Sequence, residues 1–246
     1  MKEENIKEIV KKHYGKIANS GGCCSCSCGS DSNTEIAKSI GYSDSEIKSV
    51  SEANLGLGCG NPTAMAMIKE GDIVLDLGSG AGFDCFLAAK KTGKAGRVIG
   101  IDFAPEMIAK AQSNLEKYDY ENVEFRLGDI ENMPVENDSA NVVISNCVIN
   151  LAPDKTKVFK EIFRVLKNDG AGFISDIVLL EELSKEQKED EELLSGCVGG
   201  ALLKDDYLKS IQQAGLSVEI LSEDKDISKR QYDGIALESL KIKVYK

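Results

Sequence analysis

The run Val74-Leu75-Asp76-Leu77-Gly78-Ser79-Gly80-Ala81-Gly82 decides the fold. Its first half completes a β-rich apolar segment over 72–77. Its second half places three glycines in alternation, a turn tight enough to pass from strand straight into helix. Downstream the pattern alternates: a helix over 83–91, a strand over 96–101, then a helix opened by Pro105 and running to about 118. Strands over 123–127 and 141–145, a helix over 154–166 and a strand over 170–178 follow. Strands that alternate with helices predict an α/β protein, an open and mainly parallel sheet with helices on both faces. Such strands are buried on both sides and read as apolar runs.

The flanks differ. Upstream, Ile6, Ile9, Val10, Tyr14 and Ile17 fall at helical spacing and predict an amphipathic helix over 2–18. A Ser-, Gly- and Cys-rich loop over 20–33, two short helices over 34–40 and 43–49, and an irregular Gly-rich stretch over 51–63 lead to the first strand. Beyond residue 180 the expectation is one charged helix over 181–194 and another over 204–214 ended by Gly215. Strands over 216–222 and 240–245 should lie antiparallel. The intervening Gly196-Cys197-Val198-Gly199-Gly200 reads as a lid or substrate lobe.

Composition narrows the class of protein. The chain of 246 residues is 42% hydrophobic, enough for one substantial core and a small second lobe. No run approaches a membrane-spanning length, and the charged N-terminus lacks the apolar core of a secretory signal. A cytoplasmic protein with no membrane partner is expected. Thirty Lys and Arg against 41 Asp and Glu give a net charge of −11, which repels phosphate backbones and disfavours a nucleic-acid partner.

The glycine loop carries ligand chemistry. A pyrophosphate cradle wants the spacing G-x-G-x-x-G, whereas this loop runs D-L-G-S-G-A-G. An acid two residues before the first glycine suits an amine- or hydroxyl-bearing ligand without phosphates. Asp102, 20 residues beyond Gly82 at the end of the second strand, can accept both hydroxyls of a ribose. Asp129, in Gly128-Asp129-Ile130 after the third strand, can reach an adenine amino group.

These residues resemble the class I S-adenosylmethionine-dependent methyltransferases over about 72–178. The resemblance implies a Rossmann-like, seven-stranded, mainly parallel sheet with a C-terminal antiparallel hairpin, here joined by a small substrate-binding lobe. It implies an S-adenosylmethionine site drawn from Asp76, Gly78, Ser79, Gly80, Gly82, Asp102, Phe103, Met107, Asp129, Ile130 and Asn146. The chain then divides into an N-terminal helical arm with its Cys-rich loop (1–50), a cofactor-binding domain (51–180) and a lid or lobe with the final strands (181–246).

Eight cysteines and a single histidine remain to be explained. Cys85, on the first sheet-packing helix, reads as a small buried hydrophobe. Cys59, Cys147 and Cys197 are 88 and 50 residues apart, which excludes a local zinc-type spacing. Two of them stand in glycine-rich loops, an odd place for core cysteines. The strings Asn54-Leu55-Gly56-Leu57-Gly58-Cys59-Gly60-Asn61-Pro62, Ser145-Asn146-Cys147-Val148-Ile149-Asn150-Leu151 and Gly196-Cys197-Val198-Gly199-Gly200-Ala201-Leu202 resemble arsenite methyltransferases.

That resemblance implies that Cys59, Cys147 and Cys197 bind trivalent arsenic and form the catalytic set. One of Cys23, Cys24, Cys26 and Cys28 would take part with them. It also implies arsenite or its thiol conjugates as substrate, and a thiol reductant (glutathione or thioredoxin-like) as co-substrate. The expected state is a monomer. Two other functions fit the residues less fully: methylation of a small organic acceptor, and a thiol protein that holds a soft ion.

Overall fold

The computed structural model describes residues 3–20 and 30–246. Four helices come first: α1 (Glu3–Ser20), α2 (Ser30–Ser39), α3 (Asp44–Ser49) and α4 (Pro62–Met65). The alternating region follows as β1 (Ile73–Leu77), α5 (Phe83–Thr92), β2 (Arg97–Asp102), α6 (Pro105–Tyr118), β3 (Val123–Leu127), β4 (Ala140–Asn146), α7 (Lys155–Val165) and β5 (Leu166–Leu179). The chain closes with α8 (Lys185–Glu189), α9 (Glu191–Ser195), α10 (Lys204–Gln213), β6 (Ser217–Asp224), α11 (Ile227–Gln231) and β7 (Leu237–Tyr245).

All seven strands join one sheet in the order β3-β2-β1-β4-β5-β7-β6. Strands β1 to β5 are parallel, and β7 enters antiparallel between β5 and β6. The α/β class and the C-terminal hairpin are therefore as the sequence predicts. Val74, Leu75 and Leu77 of β1 are fully buried, because both faces of the sheet are covered. On one face Phe86 and Met107 pack with Val98 and Ile144; on the other Phe159, Ile162 and Tyr207 pack with Leu75 and Ile174. A third apolar cluster joins α1 (Val10) to β5 (Ile177), α11 (Ile227) and β7 (Leu237), and it contains Cys59, Cys147 and Cys197.

Three local expectations need correction. The single helix over 181–194 is two short ones. The Asp190 carboxylate accepts the N–H groups of Glu192 and Leu193 at 2.8 and 2.9 Å, which restarts the helix as α9. The loop over 20–33 gives way to helix from Ser30. The segment before β7 holds an unforeseen helix, α11, whose five residues are too few to show periodicity. The cysteines at 23, 24, 26 and 28 lie outside the described residues. Among the described residues no helix is long and apolar enough to cross a membrane.

The turn after β1 is where glycine is required. Gly78 has a φ of +66°, and a Cβ there would sit 2.3 Å from Val148 Cγ2. Gly71 also has a positive φ, +87°, but a Cβ would meet open space. Gly78→Ala combines left-handed strain with overpacking and is expected to cost about 2 kcal/mol or more, a drop in Tm of roughly 4–8 °C. Gly71→Ala carries only the strain and should lose about half as much, as thermal unfolding of the two variants would show.

Candidate active site

Strand order reverses between β1 and β4, so the loops leaving their C-terminal ends part to opposite faces and open a crevice. The crevice is a cavity of about 680 Å³. Asp76, Gly78, Ser79 and Gly80 line it from β1 and its loop. Asp102 and Phe103 line it from the end of β2, and Asn146 and Cys147 from the end of β4. Tyr14 and His13 of α1, Cys197 and Tyr232 complete the wall.

Three buried carboxylates face this cavity, and none forms an ion pair among the described residues. Asp102 is fixed by backbone donors, Gly80 N–H to Oδ2 at 3.0 Å and Ala104 N–H to Oδ1 at 2.9 Å. Burial nevertheless pushes it up to about 6, against the lowering effect of those N–H groups. Asp84 accepts the Tyr42 hydroxyl at 2.7 Å and is likewise pushed up to about 6, burial being the main cause. Asp76 accepts the Cys85 thiol at 3.1 Å and is raised well above the usual carboxylate range by burial and by neighbouring Asp84. Among the described residues the buried Ser79 hydroxyl has no hydrogen-bond partner. Desolvated acids beside an orphaned hydroxyl fit a ligand that brings positive charge and polar groups of its own.

The three dispersed cysteines meet beside the cavity, Cys147 and Cys197 in its wall and Cys59 behind them, and all are buried free thiols. Cys147 follows β4 with a φ of 59°, and its N–H is tied to Ser175 O at 2.8 Å. Cys197 stands one residue past the cap of α9, with a φ of 69°, and the next N–H, that of Val198, closes on Leu193 O at 3.0 Å. Glycine is the usual occupant of that left-handed position at a helix end. A thiol at two such strained positions is an observation in favour of function rather than of packing.

Cys59 is held by its N–H to Asn146 Oδ1 at 3.0 Å and by the Ser239 hydroxyl on its carbonyl at 2.8 Å. The sulfurs form a row: the Cys147 thiol is in hydrogen-bond contact with those of Cys59 and Cys197. The Cys197 thiol donates to Cys147 O at 2.8 Å, and the Tyr14 hydroxyl lies 3.9 Å from its sulfur. Tyr232 makes a similar contact with Cys147. Burial pushes the Cys59 thiol up; contact with a neighbouring thiol, and then burial, pushes those of Cys147 and Cys197 well above the ordinary cysteine value. Among the described residues no three Cys, His, Asp or Glu side chains stand ready to hold a metal ion.

Not every residue expected from the sequence lines the cavity. Cys59 contacts Cys147 from outside the lining. Met107 and Ile130 are packed in the two main clusters. Gly82 caps α5, where a Cβ would meet the rings of Phe125 and Phe86. Asp129 is paired with Lys7 of α1 at 2.6 Å. Conversely, Tyr14, Tyr42, Asp84 and Tyr232 belong to the site, although the sequence reading assigned them nothing beyond the helical spacing of Tyr14. A signal existed for Asp84, an acid on the buried face of the helix that the glycine loop opens.

The model of the methyltransferase domain family matches residues 68–215. A solved structure of an arsenic(III) S-adenosylmethionine methyltransferase from Chlamydomonas reinhardtii shares 30% identity. It superposes with a TM-score of 0.67 over 86% of this chain and 73% of that one. The chain belongs to the arsenite methyltransferase family. An arsenite methyltransferase from Halobacterium salinarum is 46% identical over 90% of this chain, and one from Aquipseudomonas alcaligenes is 34% identical over 91%. The chain spans 60% and 65% of the lengths of these two relatives.

In a member of the arsenite methyltransferase family the buried acids have a pH signature. Asp84 and Asp102, both near 6, become neutral as the pH falls through that value. A cationic, hydroxyl-bearing ligand then loses its charged acceptors. Calorimetric affinity for S-adenosylmethionine should therefore be several-fold weaker at pH 5 than at pH 7.5, and Asp102→Asn should flatten part of that slope. Stability of the unliganded chain responds oppositely. Because both folded values are raised, these two acids favour the fold most below the unfolded carboxylate value, and that benefit is lost as the pH rises towards 6.

Proposed function

We propose that this chain transfers the methyl group of S-adenosylmethionine to trivalent arsenic held by Cys59, Cys147 and Cys197. The observation that carries the reading is the meeting of three sequence-distant thiols beside the acid-lined cavity, two of them in left-handed backbone. S-adenosylmethionine, when bound, supplies an electrophilic methyl on a positively charged sulfur. Asp102, held by two backbone N–H groups, would take the ribose hydroxyls. Asp76 and Asp84 would face the positively charged end. Asp129, expected near the adenine, would have to share its carboxylate with Lys7.

Arsenite is the substrate. As(III) is soft, and thiolates suit it better than imidazole or carboxylate. Near neutral pH it is the uncharged acid As(OH)₃, while the raised thiols are protonated. Ligation then balances as As(OH)₃ plus three thiols giving the tris-thiolate and three waters, so each hydroxide carries off one thiol proton. Three thiolates leave the arsenic lone pair uncommitted. No proton sits on the attacking atom, so no general base is needed, and His13, whose pKa burial lowers, is not required as one. The residues contribute alignment, worth ~7–11 kcal/mol where geometry is good. The segment after β5, anchored where Leu179 N–H meets Leu202 O at 2.8 Å, would act as the arsenic-binding lobe that carries Cys197. A cellular thiol would serve as reductant, and one of the cysteines at 23, 24, 26 and 28 would assist.

The direct experiment is incubation with arsenite, a thiol and labelled S-adenosylmethionine, followed by arsenic speciation. Labelled methylarsenic species are the expected result. Label on an organic acceptor, with no response to arsenite, would favour the small-molecule alternative.

Cys59→Ser, Cys147→Ser and Cys197→Ser should each abolish or severely reduce turnover, since a hard, protonated oxygen replaces a soft ligand at nearly constant size. Cys85→Ser should retain arsenite binding, because a serine hydroxyl can still donate to Asp76. Arsenite affinity of the unaltered chain should be nearly flat between pH 6 and 8, as ligation releases no net proton. Near-normal turnover in Cys147→Ser would be the most damaging outcome.

A further inference from the structure

Asn146 closes β4 directly before Cys147, and its side chain reaches across to the segment that bears Cys59. Its Oδ1 accepts the Cys59 N–H at 3.0 Å, while its Nδ2 donates to Gly60 O at 2.7 Å. The same Nδ2 lies 3.1 Å from the Tyr42 hydroxyl and 3.4 Å from Asp84 Oδ2. The Tyr42 hydroxyl in turn donates to Asp84 Oδ1 at 2.7 Å. The loop is pressed onto this amide, since a Cβ on Gly58 would stand 2.8 Å from Nδ2. One residue therefore sets two thiols, Cys147 through its backbone and Cys59 through its side chain.

We propose that Asn146 is a positioning residue that ties the carboxylate floor of the cavity to the Cys59 thiol, so that a cationic ligand beside Asp84 and arsenic at the thiols strengthen each other's binding. The proposal rests on the functional reading above. A side-chain amide has one accepting end and one donating end. An ionised carboxylate only accepts, so Asp84 joins Gly60 O in holding the Asn146 N–H groups and draws the Tyr42 O–H as well. With its N–H groups so engaged, the amide presents Oδ1 to the Cys59 N–H. A cation beside Asp84 favours the ionised carboxylate, and with it the amide orientation that holds Cys59 next to Cys147. Arsenic bridging those two thiols fixes the same amide from the other side.

Linkage makes the effect reciprocal. Arsenite binding would be titrated by calorimetry on the reduced chain, alone and with saturating S-adenosylhomocysteine, which keeps the amino group of the methyl donor. S-adenosylhomocysteine would then be titrated with and without arsenite. At pH 5, where Asp84 is mostly neutral until a cation lies beside it, each ligand should raise the other's affinity in the unaltered chain by the same factor, about fivefold or more, and that factor should approach one at pH 7.5. Tyr42→Phe removes the hydroxyl shared by Asp84 and Asn146, and Asp84→Asn removes the charge. In both, the factor at pH 5 should fall below about twofold while each ligand still binds alone. A merely structural Tyr42 would weaken both ligands and leave the factor unchanged, which would overturn the proposal, as would independent binding of the two ligands in the unaltered chain at pH 5. Should Tyr42→Phe fail to fold, Asp84→Asn carries the same readout. Absence of any arsenite binding to the unaltered chain would instead overturn the functional reading.

Discussion

The reversal of strand order between β1 and β4 governs the rest of the molecule. Helices that follow β1 and β4 must pack on opposite faces of the sheet, so the backbone cannot cover the gap between those strand ends. The gap is roofed by parts from elsewhere: α1, the Cys59 loop, the turn after α9 and the end of α11. Each arrives from a different part of the chain. Each brings one or two groups that make sense only beside the others, and that is how residues 88 and 50 positions apart come to share a site.

Two chemistries meet in the gap, separated by the width of one residue. Carboxylates gather at the β1 side, where burial holds Asp84 and Asp102 near 6, ready to be neutralised by a bound cation. Thiols gather at the β4 side, where contact with one another and burial keep them protonated. The Asn146 amide, donating towards Asp84 on one side and accepting the Cys59 N–H on the other, joins the two groups.

How much of this was readable follows the range of the interactions. The glycine loop and Asp102 were legible because strand–turn–helix geometry fixes them within a few residues. Cys147 was legible as the residue just past a strand that ends at the crevice. The pairing of Cys59 with Asn146 was not, since it is a contact across 87 positions that leaves no local pattern. Tyr14 sits at a helical spacing that reads as ordinary apolar packing, and only the fold reveals its hydroxyl beside Cys197. Asp129 shows the converse: its position suggested a ligand, yet α1 brings Lys7 onto it. The break at Asp190 was hidden because charged residues on both sides look equally helical.

The protonated state of the buried thiols has a further consequence. Peroxides and alkylating agents react with thiolates, so a thiol pushed above its ordinary value and shut away from water is slow towards both. Arsenous acid needs no thiolate in advance, because its own hydroxides accept the protons. A site built on such thiols would discriminate between reagents by how each disposes of a proton, and would outlast an exposed, acidic cysteine under oxidative conditions.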